Sequence, residues 1–318
     1  MTSAFVAGLG FALGSRRYSV EESVEAGRTR TPAEPFLASG FCHHHVCAAE
    51  ESAYDLALAA TRAVGDELGH LDAIVYATCI PANANIAEPG RFRASTDVKD
   101  LMDFPASRLQ TDLGQPDAFV VGVGQQACTS MLGGVRLAAG LIATDPSVDR
   151  VLCVSADRFP PGARYEQAYS LVSDGAAACI VSRATAAYRL VAAHQITNGA
   201  LVSADDDETV GAYFGYTCRL VRELLAKAGL RPADVDWVVP QNTDAKAWRI
   251  VGRLLGIDED RIWCPSLPEV GHVISADNII NLAALQGRGV QPGAHLLLTM
   301  AGYGMNWQGL LLEATGGA

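Results

Sequence analysis

The chain has 318 residues, of which 49% are hydrophobic and 19% charged, and its formal net charge at pH 7 is −11. This balance is typical of a globular protein long enough to build two core-bearing halves, and the acidity argues against binding to nucleic acid or to an anionic membrane. Eight cysteines lie scattered without paired spacing, which favours reduced thiols and a cytoplasmic protein over a disulfide framework.

The amino-terminal segment is predicted to form a strand with a glycine turn over Ala4–Leu13 and a short helix over Val20–Ala26. Met1–Gly14 is apolar, but it begins without a basic residue and is interrupted by glycines, so it is not typical of a signal peptide. No uninterrupted apolar stretch of the sequence has the length needed to cross a bilayer. We therefore expect a soluble protein.

In the segment Phe41–Cys47, two cysteines flank three consecutive histidines, which makes this segment the strongest candidate for a metal site in the sequence. Zinc prefers such ligands, but alternate residues of an extended segment point to opposite sides. No second Cys/His pair follows at a spacing typical of zinc sites. We therefore expect no metal site and no bound cofactor.

A long amphipathic helix is predicted over Ala48–Gly69, with a buried strand after it over Leu71–Ala77. The next segment, Ile80–Asp117, contains four prolines and is predicted to form loops and a short helix. Long irregular segments often carry function, so we expect this one to border the mouth of an active site and a subunit interface.

Cys128 lies where a short buried strand predicted over Ala118–Val123 turns into a helix predicted over Thr129–Ile142. The unpaired amides of a first helical turn favour negative charge and lower the pKa of a thiol. The same amides can hold the oxyanion that forms when a thiolate attacks a thioester. The pattern indicates a nucleophile, and the alternative is a small buried cysteine that only packs.

Later elements repeat earlier ones, which indicates a duplicated fold whose halves meet near residue 185. Between the repeats, the acidic run Asp205–Glu208 is predicted to be a solvated loop. The matching pairs are the helices Ser52–Gly69 and Thr217–Gly229, the strands Ala73–Tyr76 and Trp237–Val239, the strands Val151–Ser155 and Leu296–Met300, and the strands Ala176–Val181 and Trp307–Leu312.

The segment Gln125–Gly134 resembles the nucleophile segment of the β-ketoacyl-acyl-carrier-protein synthase III family, whose members have the thiolase fold. Three later segments resemble motifs of the same family in the same order, namely Ser155–Asp157, Ser173–Ala178 and the glycine-rich Met300–Trp307. The resemblance implies an α/β protein in which two duplicated βαβ-rich halves, residues 1–184 and 185–318, stack in α/β/α/β/α layers. It also implies a homodimer.

Two positions depart from the family pattern. Where the family has a histidine after the proline of a strand, this chain has Gln241, followed by Asn242, and where the family has an asparagine this chain has His272. The family's histidine and asparagine stabilise the enolate that malonyl decarboxylation leaves, and glutamine cannot carry the charge of an imidazolium. The change puts malonyl-driven carbon–carbon condensation in doubt. We expect Gln241 and Asn242 to shape the pocket floor.

The exchange leaves a cysteine, a histidine and an acid. Asp277 follows His272 by five residues, a spacing that lets a carboxylate orient the imidazole, and Asp244 or Asn278 are the alternative orienting groups. Cys-His-Asp suits acyl transfer, because the thiolate forms an acyl-enzyme and the histidine deprotonates an incoming hydroxyl or amine. The arrangement resembles a branch of the family, the acyltransferases of antibiotic biosynthesis.

The resemblance also implies contacts for the oxyanion and the donor. The backbone amides of Cys128 and Tyr303 align with the family's oxyanion donors. The tryptophan on which the family stacks the adenine of coenzyme A is missing from the aligned stretch Glu34–Leu37. In an acidic chain, a local basic patch would be needed to attract an acidic carrier protein, and the alternative is a solvated basic face. The basic residues on the helix predicted over Ala245–Leu255 are Lys246, Arg249 and Arg253.

The sequence thus predicts an acyltransferase of secondary metabolism. It would move an acyl group from a carrier-protein or coenzyme A thioester, through Cys128, to a hydroxyl or amine of a small-molecule acceptor. One alternative is a β-ketoacyl synthase III-type enzyme that forms carbon–carbon bonds with His272 in a rearranged site. Another is a non-catalytic partner subunit of a heteromeric synthase, against which the retention of Cys128 argues.

Overall fold

The computed structural model describes residues 3–83, 89–168, 170–303 and 305–316. The strands in these ranges are β1 (Phe5–Leu13), β2 (Arg16–Ser19), β3 (His43–Val46), β4 (Ala73–Ala77), β5 (Phe119–Val123), β6 (Arg150–Asp157), β7 (Glu166–Gln167), β8 (Ser170–Leu171), β9 (Gly175–Ser182), β10 (Tyr188–Thr197), β11 (Trp237–Pro240), β12 (His295–Gly302) and β13 (Asn306–Ala314). The α-helices are α1 (Val20–Glu25), α2 (Ala33–Ala38), α3 (Ala53–Arg62), α4 (Pro89–Ser95), α5 (Pro105–Asp112), α6 (Ser130–Thr144), α7 (Asp206–Lys227), α8 (Ala245–Leu255), α9 (Leu267–Val270) and α10 (Asp277–Arg288).

The central sheet is built from two runs of strands in the same spatial order. The first run is β1-β9-β6-β4-β5 and the second is β10-β13-β12-β11, joined where β1 lies antiparallel to β10. In the first run β4 pairs parallel with β6, and β6 pairs antiparallel with β9. The second run repeats this with β11, β12 and β13. The predicted duplication is therefore present in the topology, and among the described strands β5 has no counterpart.

Alternate side chains of each strand pack against different helices, because successive residues of a strand point to opposite faces. In β4, Val75 packs with residues of α6, whereas Tyr76 packs with α3. In β12, Leu296 packs in the same cluster as α6 and α10, whereas Leu297 packs with α7 and α8. The helices α6 and α10 thus form a central layer between the two runs. The order of layers is α/β/α/β/α, as predicted.

Helix α6 is apolar because it lies in this central layer. Among the described residues, the stretch Ala127–Thr144 is the one helix that is long and apolar enough to cross a membrane. However, 56% of this stretch is buried inside the fold. A Cβ on Gly133 would approach Oε1 of Gln126 to 2.2 Å, so a larger residue here would require the side chain of Gln126 to move. Its composition is accounted for by packing within the protein.

Two helix starts differ from the predictions, and side-chain capping explains both. Helix α3 begins later than predicted, because Ser52 caps it and forms a reciprocal capping box with Asp55. Helix α7 begins earlier than predicted, at the acidic run that was expected to be a solvated loop. The side chain of Asp205 accepts a hydrogen bond from the backbone N–H of Glu208 at 2.8 Å, so the loop prediction was wrong.

The proline-containing segment after β4 is more regular than predicted. Of residues 80–117, the positions 84–88 lie outside the described residues. The rest holds two α-helices, α4 and α5, in place of the one short helix that was expected. Proline stands at the first position of both helices, where its missing N–H costs no hydrogen bond.

Candidate active site

Cys128 lies in the 3₁₀ turn Ala127–Thr129, which connects β5 to α6. Two residues just before it adopt a left-handed backbone, with φ of 64° at Gln125 and 48° at Ala127. Such conformations are strained for residues other than glycine and collect at functional sites. The side chain of Cys128 is 3% exposed and lines a cavity. The turn therefore presents the thiol at a helix start, within reach of a ligand.

The imidazole of His272 is held by a buried carboxylate. Its Nδ1 lies 2.5 Å from Oδ2 of Asp277. The carboxylate is itself fixed by backbone N–H groups, which donate from Val273 to Oδ1 at 2.6 Å and from Asn242 to Oδ2 at 2.7 Å. Because Nδ1 donates to the carboxylate, Nε2 remains for an interaction with the thiol of Cys128, which lines the same cavity as His272.

The charges of the cysteine and the histidine are coupled. A hydrogen bond from the thiol of Cys79 lowers the pKa of Cys128 well below its usual value, and the hydrogen bond and charge of His272 add to this against the opposing effect of burial. Burial lowers the pKa of His272, but the charge and hydrogen bond of Asp277, together with the contact to Cys128, raise the pKa to about 10. The two groups therefore favour each other's charged forms, the thiolate of Cys128 and the imidazolium of His272.

Of the three groups considered for orienting the imidazole, Asp277 is the one in contact with it. The side chain of Asp244 accepts a hydrogen bond from the N–H of Lys246 and so caps α8. The amide of Asn278 donates to the carbonyl oxygens of Val239 and Thr299 and ties α10 to the sheet. The geometry thus leaves orientation to Asp277.

A cavity of about 370 Å³ extends from Cys128 and His272 toward α7 and α8. Gly302 lies against the turn that carries Cys128, because a Cβ there would come within 2.9 Å of Gln126 O and 3.2 Å of the Cys128 nitrogen. Tyr303 borders the cavity with 43% of its surface exposed. Apolar and aromatic residues form much of the wall, as is typical of ligand pockets: Val210, Tyr213, Phe214, Ile250, Met305 and Trp307.

Two models of one protein family match this chain. The model of 3-oxoacyl-[acyl-carrier-protein] synthase III matches residues 124–199, and that of its C-terminal part matches residues 225–314, together just over half of the chain. The chain belongs to the 3-oxoacyl-[acyl-carrier-protein] synthase III family. It is therefore an enzyme of the condensing or acyl-transfer type.

Curated relatives of this synthase III family member are distant in sequence. The β-ketoacyl-[acyl-carrier-protein] synthase III of Rhodobacter capsulatus is 25% identical over 98% of both chains. That of Chlamydia caviae is 27% identical over 60% of this chain and 65% of its own. These relatives carry the name of a condensing enzyme.

Solved structures share the architecture of this synthase III family member. FabH of Pseudomonas aeruginosa PAO1 and the acyltransferase ChlB3 each superpose with a TM-score of 0.82 at 22% identity, over 99% of both chains. The priming β-ketosynthase of the R1128 polyketide pathway gives 0.78 at 19% identity, over 98% of this chain and 96% of that one. Likeness at these identities shows the fold, and it confirms the predicted thiolase fold.

Of the two residues that were expected to form the pocket floor, one lines the cavity and the other lies behind it. Gln241 lines the cavity, and its Oε1 accepts a hydrogen bond from the N–H of Ala301 at 2.5 Å. Asn242 is fully buried away from the lining, and its side-chain amide donates to Gly271 O at 2.9 Å. Since its backbone also holds Asp277, Asn242 supports the histidine–carboxylate pair from behind.

Helix α8 carries the three predicted basic residues, of which Lys246 borders the cavity. Lys246 is exposed and lines the mouth. Arg249 lies 3.7 Å from a carboxylate oxygen of Glu259, and Arg253 is exposed in the last turn of the helix. The apolar side chain of Ile250, also exposed, lies between them on the same helix. Their role in docking a carrier protein stays a prediction.

The three consecutive histidines do not converge. His44 is buried, where its Nε2 lies 2.6 Å from Ser23 Oγ and its Nδ1 lies 2.7 Å from Val172 O, and burial lowers its pKa to about 4. His45 instead contacts Gly14 O, and His43 lies 3.4 Å from a carboxylate oxygen of Glu269. Within the described ranges, no group of three His, Cys, Asp or Glu side chains is placed to hold a metal.

Two residues at the site were not indicated by the sequence patterns. Cys79 follows β4 at the edge of the sheet where β5 leads to Cys128, so its place after a predicted buried strand was an available signal. The hydroxyl of Ser275 lies 2.8 Å from that of Ser130 across the two halves. No local pattern marks such a contact between residues so far apart in the chain.

Proposed function

We propose that this chain is an acyltransferase that moves an acyl group from a thioester donor to a hydroxyl or amine acceptor through an acyl-enzyme on Cys128. The observation that carries the proposal is the buried pair of His272 and Asp277, 2.5 Å apart, at the place where the family pattern has an asparagine. The imidazole of this pair lines the same cavity as Cys128. A fixed imidazole of this kind is a general base, whereas an asparagine can only donate or accept hydrogen bonds.

In the first step, the thiolate of Cys128 attacks the carbonyl carbon of the donor thioester. A C–S bond forms to Cys128, and the C–S bond to the donor breaks when the tetrahedral intermediate collapses. The departing donor thiolate takes the proton from Nε2 of His272 and leaves as a thiol. The backbone amides of Cys128 and Tyr303 are the proposed donors to the oxyanion.

In the second step, His272 acts as the base. Acylation removes the negative charge of Cys128, one of the causes that hold the pKa of His272 high, so the imidazole becomes easier to keep neutral. It takes the proton of an acceptor O–H or N–H, and the oxygen or nitrogen attacks the acyl carbon. The bond to Cys128 breaks, the thiolate is restored, and Asp277 stabilises the imidazolium that forms.

The exposed α8 residues Lys246 and Arg253, with Arg249 beside them, are the proposed docking points for an acidic carrier protein that presents the donor. Coenzyme A is the alternative donor. We also propose that the enzyme is a cytoplasmic homodimer of secondary metabolism. The half-exposed edge strand β5 supports the dimer, because unpaired sheet edges are otherwise sites of non-specific pairing.

A second candidate function is carbon–carbon condensation of the β-ketoacyl synthase III type, which the names of the curated relatives favour. Gln241 in the cavity wall argues against it, because a neutral amide cannot supply the charge that the family's histidine offers to an enolate. The lowered pKa of Cys128 argues against a non-catalytic partner subunit, because a subunit without catalytic activity does not need a reactive thiol.

The test offers purified enzyme a panel of acyl thioesters, on carrier protein and on coenzyme A, and measures the intact mass. We expect one acyl addition at Cys128 and none in Cys128→Ala. The loaded enzyme is then given either malonyl thioester or a set of alcohols and amines. Release of the acyl group to an alcohol or amine without carbon dioxide supports acyl transfer, and carbon dioxide release with a β-ketoacyl product refutes it.

A further inference from the structure

We propose that Cys79 is a positioning residue, whose thiol donates a hydrogen bond to the sulfur of Cys128 and holds that sulfur as a thiolate facing the cavity. This inference rests on the proposed function in one respect, since it takes Cys128 as the nucleophile. The contact itself is a property of the unacylated enzyme and can be measured without any acyl donor.

The sheet brings the two thiols together. Strands β4 and β5 are parallel neighbours in which Ala77 lies opposite Val123, and the N–H of Thr78 donates to Val123 O at 3.2 Å. The chain therefore leaves both strands at the same edge of the sheet, toward Cys79 in one case and Cys128 in the other. Cys79 packs against the buried cluster that contains Cys128.

A buried carboxylate fixes the backbone that carries Cys79. Asp157, at the end of β6, is 1% exposed. Its Oδ2 accepts a hydrogen bond from the N–H of Cys79 at 3.0 Å, and its Oδ1 accepts from the N–H of Ile80 at 2.9 Å and from the hydroxyl of Thr78 at 2.9 Å. Because this carboxylate binds the main chain of the turn, it fixes the backbone from which the thiol of Cys79 projects.

The surroundings assign different roles to the two thiols. Of the pair, only Cys128 lines the cavity, so a thioester that enters meets Cys128 first. The hydrogen bond to Cys128, burial and the nearby negative charge of Asp157 all raise the pKa of Cys79, which therefore keeps its proton and acts as the donor. His272 also lowers the pKa of Cys128, so groups from separate halves of the chain favour the thiolate.

The test measures the rate at which iodoacetamide alkylates Cys128 between pH 5 and pH 10, followed at that residue by peptide mass spectrometry. Removal of one hydrogen bond to a charged group should move the pH of half-maximal rate upward by about 1 unit in Cys79→Ala. In Cys79→Ser a hydroxyl donor remains, and we expect a smaller shift. Should Cys79→Ala fail to fold, Cys79→Val takes its place.

The matched control is Cys179→Ala, which removes another buried thiol from the same core cluster. Its alkylation midpoint should equal that of the wild type. An unshifted midpoint in Cys79→Ala, or an equal shift in both alanine variants, overturns the proposal. If the midpoint shifts but no thioester loads Cys128, the contact stands and the proposed function fails. If a thioester loads Cys128 normally but the midpoint of Cys79→Ala is unshifted, the proposed role of Cys79 fails and the proposed function stands.

Discussion

The segments that lead into α6 and α10 occupy equivalent places in the two runs of the sheet. Each is a 3₁₀ turn, Ala127–Thr129 in one and Ile274–Ala276 in the other, and each runs directly into the central helix. The first residue of each turn has a left-handed backbone, with φ of 48° at Ala127 and 49° at Ile274. The same strained turn has been built twice, which shows that the duplication extends to the active site.

What differs is the chemistry carried by each turn. The second residue of the turn is Cys128 in one half and Ser275 in the other, and the first residue of the helix is Ser130 in one and Asp277 in the other. Their serine hydroxyls lie 2.8 Å apart and connect the two turns. In the proposed mechanism, one of the two equivalent segments therefore supplies the nucleophile, and the other supplies the carboxylate that orients the base.

The largest effect should come from replacing Cys128, the cysteine of the turn Ala127–Thr129. Cys128→Ala should lower acyl transfer by on the order of 10³-fold or more, because no acyl-enzyme can form. The measurement is product formation with the donor that loads the wild type, and the matched control Cys179→Ala should keep full activity. Transfer by Cys128→Ala at a rate near that of the wild type would show that the acceptor attacks the donor directly.

The next largest effect should come from removing the base held by the second turn. His272→Ala should still load Cys128, though more slowly, since the helix start and Cys79 continue to favour the thiolate. Discharge to the acceptor should fall by about 10²–10⁴-fold, the usual contribution of general-base catalysis. Single-turnover kinetics with preformed acyl-enzyme separates the two steps, with His194→Ala as the control. Discharge at the wild-type rate would contradict the role given to His272.

Local patterns predicted much of this fold, because buried strands and amphipathic helices leave a periodic trace that does not depend on the rest of the chain. The helix Ala245–Leu255 was predicted with its observed bounds, and Asp277 was among the groups foreseen beside His272. The contact of Cys79 with Cys128 and that of Ser130 with Ser275 depend on how separate segments pack. Periodicity within one segment carries no information on such contacts.

A smaller effect is expected when the carboxylate of the second turn is neutralised. Asp277→Asn removes the charge that raises the pKa of His272, while burial still lowers it, so the imidazole should lose its proton at a lower pH. The acid limb of the discharge rate should therefore move to lower pH, and the plateau should fall about 10–100-fold, since the neutral amide stabilises the imidazolium less than the carboxylate does. The pH profile of single-turnover discharge measures both changes. An unmoved acid limb would mean that Asp277 does not control the protonation of His272.

The smallest effect should come from breaking the contact that joins the two turns. Ser275→Ala and Ser130→Ala each remove one partner of a buried hydrogen bond and should each lower the free energy of unfolding by about 1 kcal/mol. Because the hydroxyls bond to each other, the double variant should cost less than the two single variants together, with a coupling of at least about 0.5 kcal/mol in urea unfolding. Discharge of the acyl-enzyme should change little, since neither hydroxyl lines the cavity. Strictly additive losses would show that the twin turns are held in place by their own halves, and that the serine contact is incidental to the site they form.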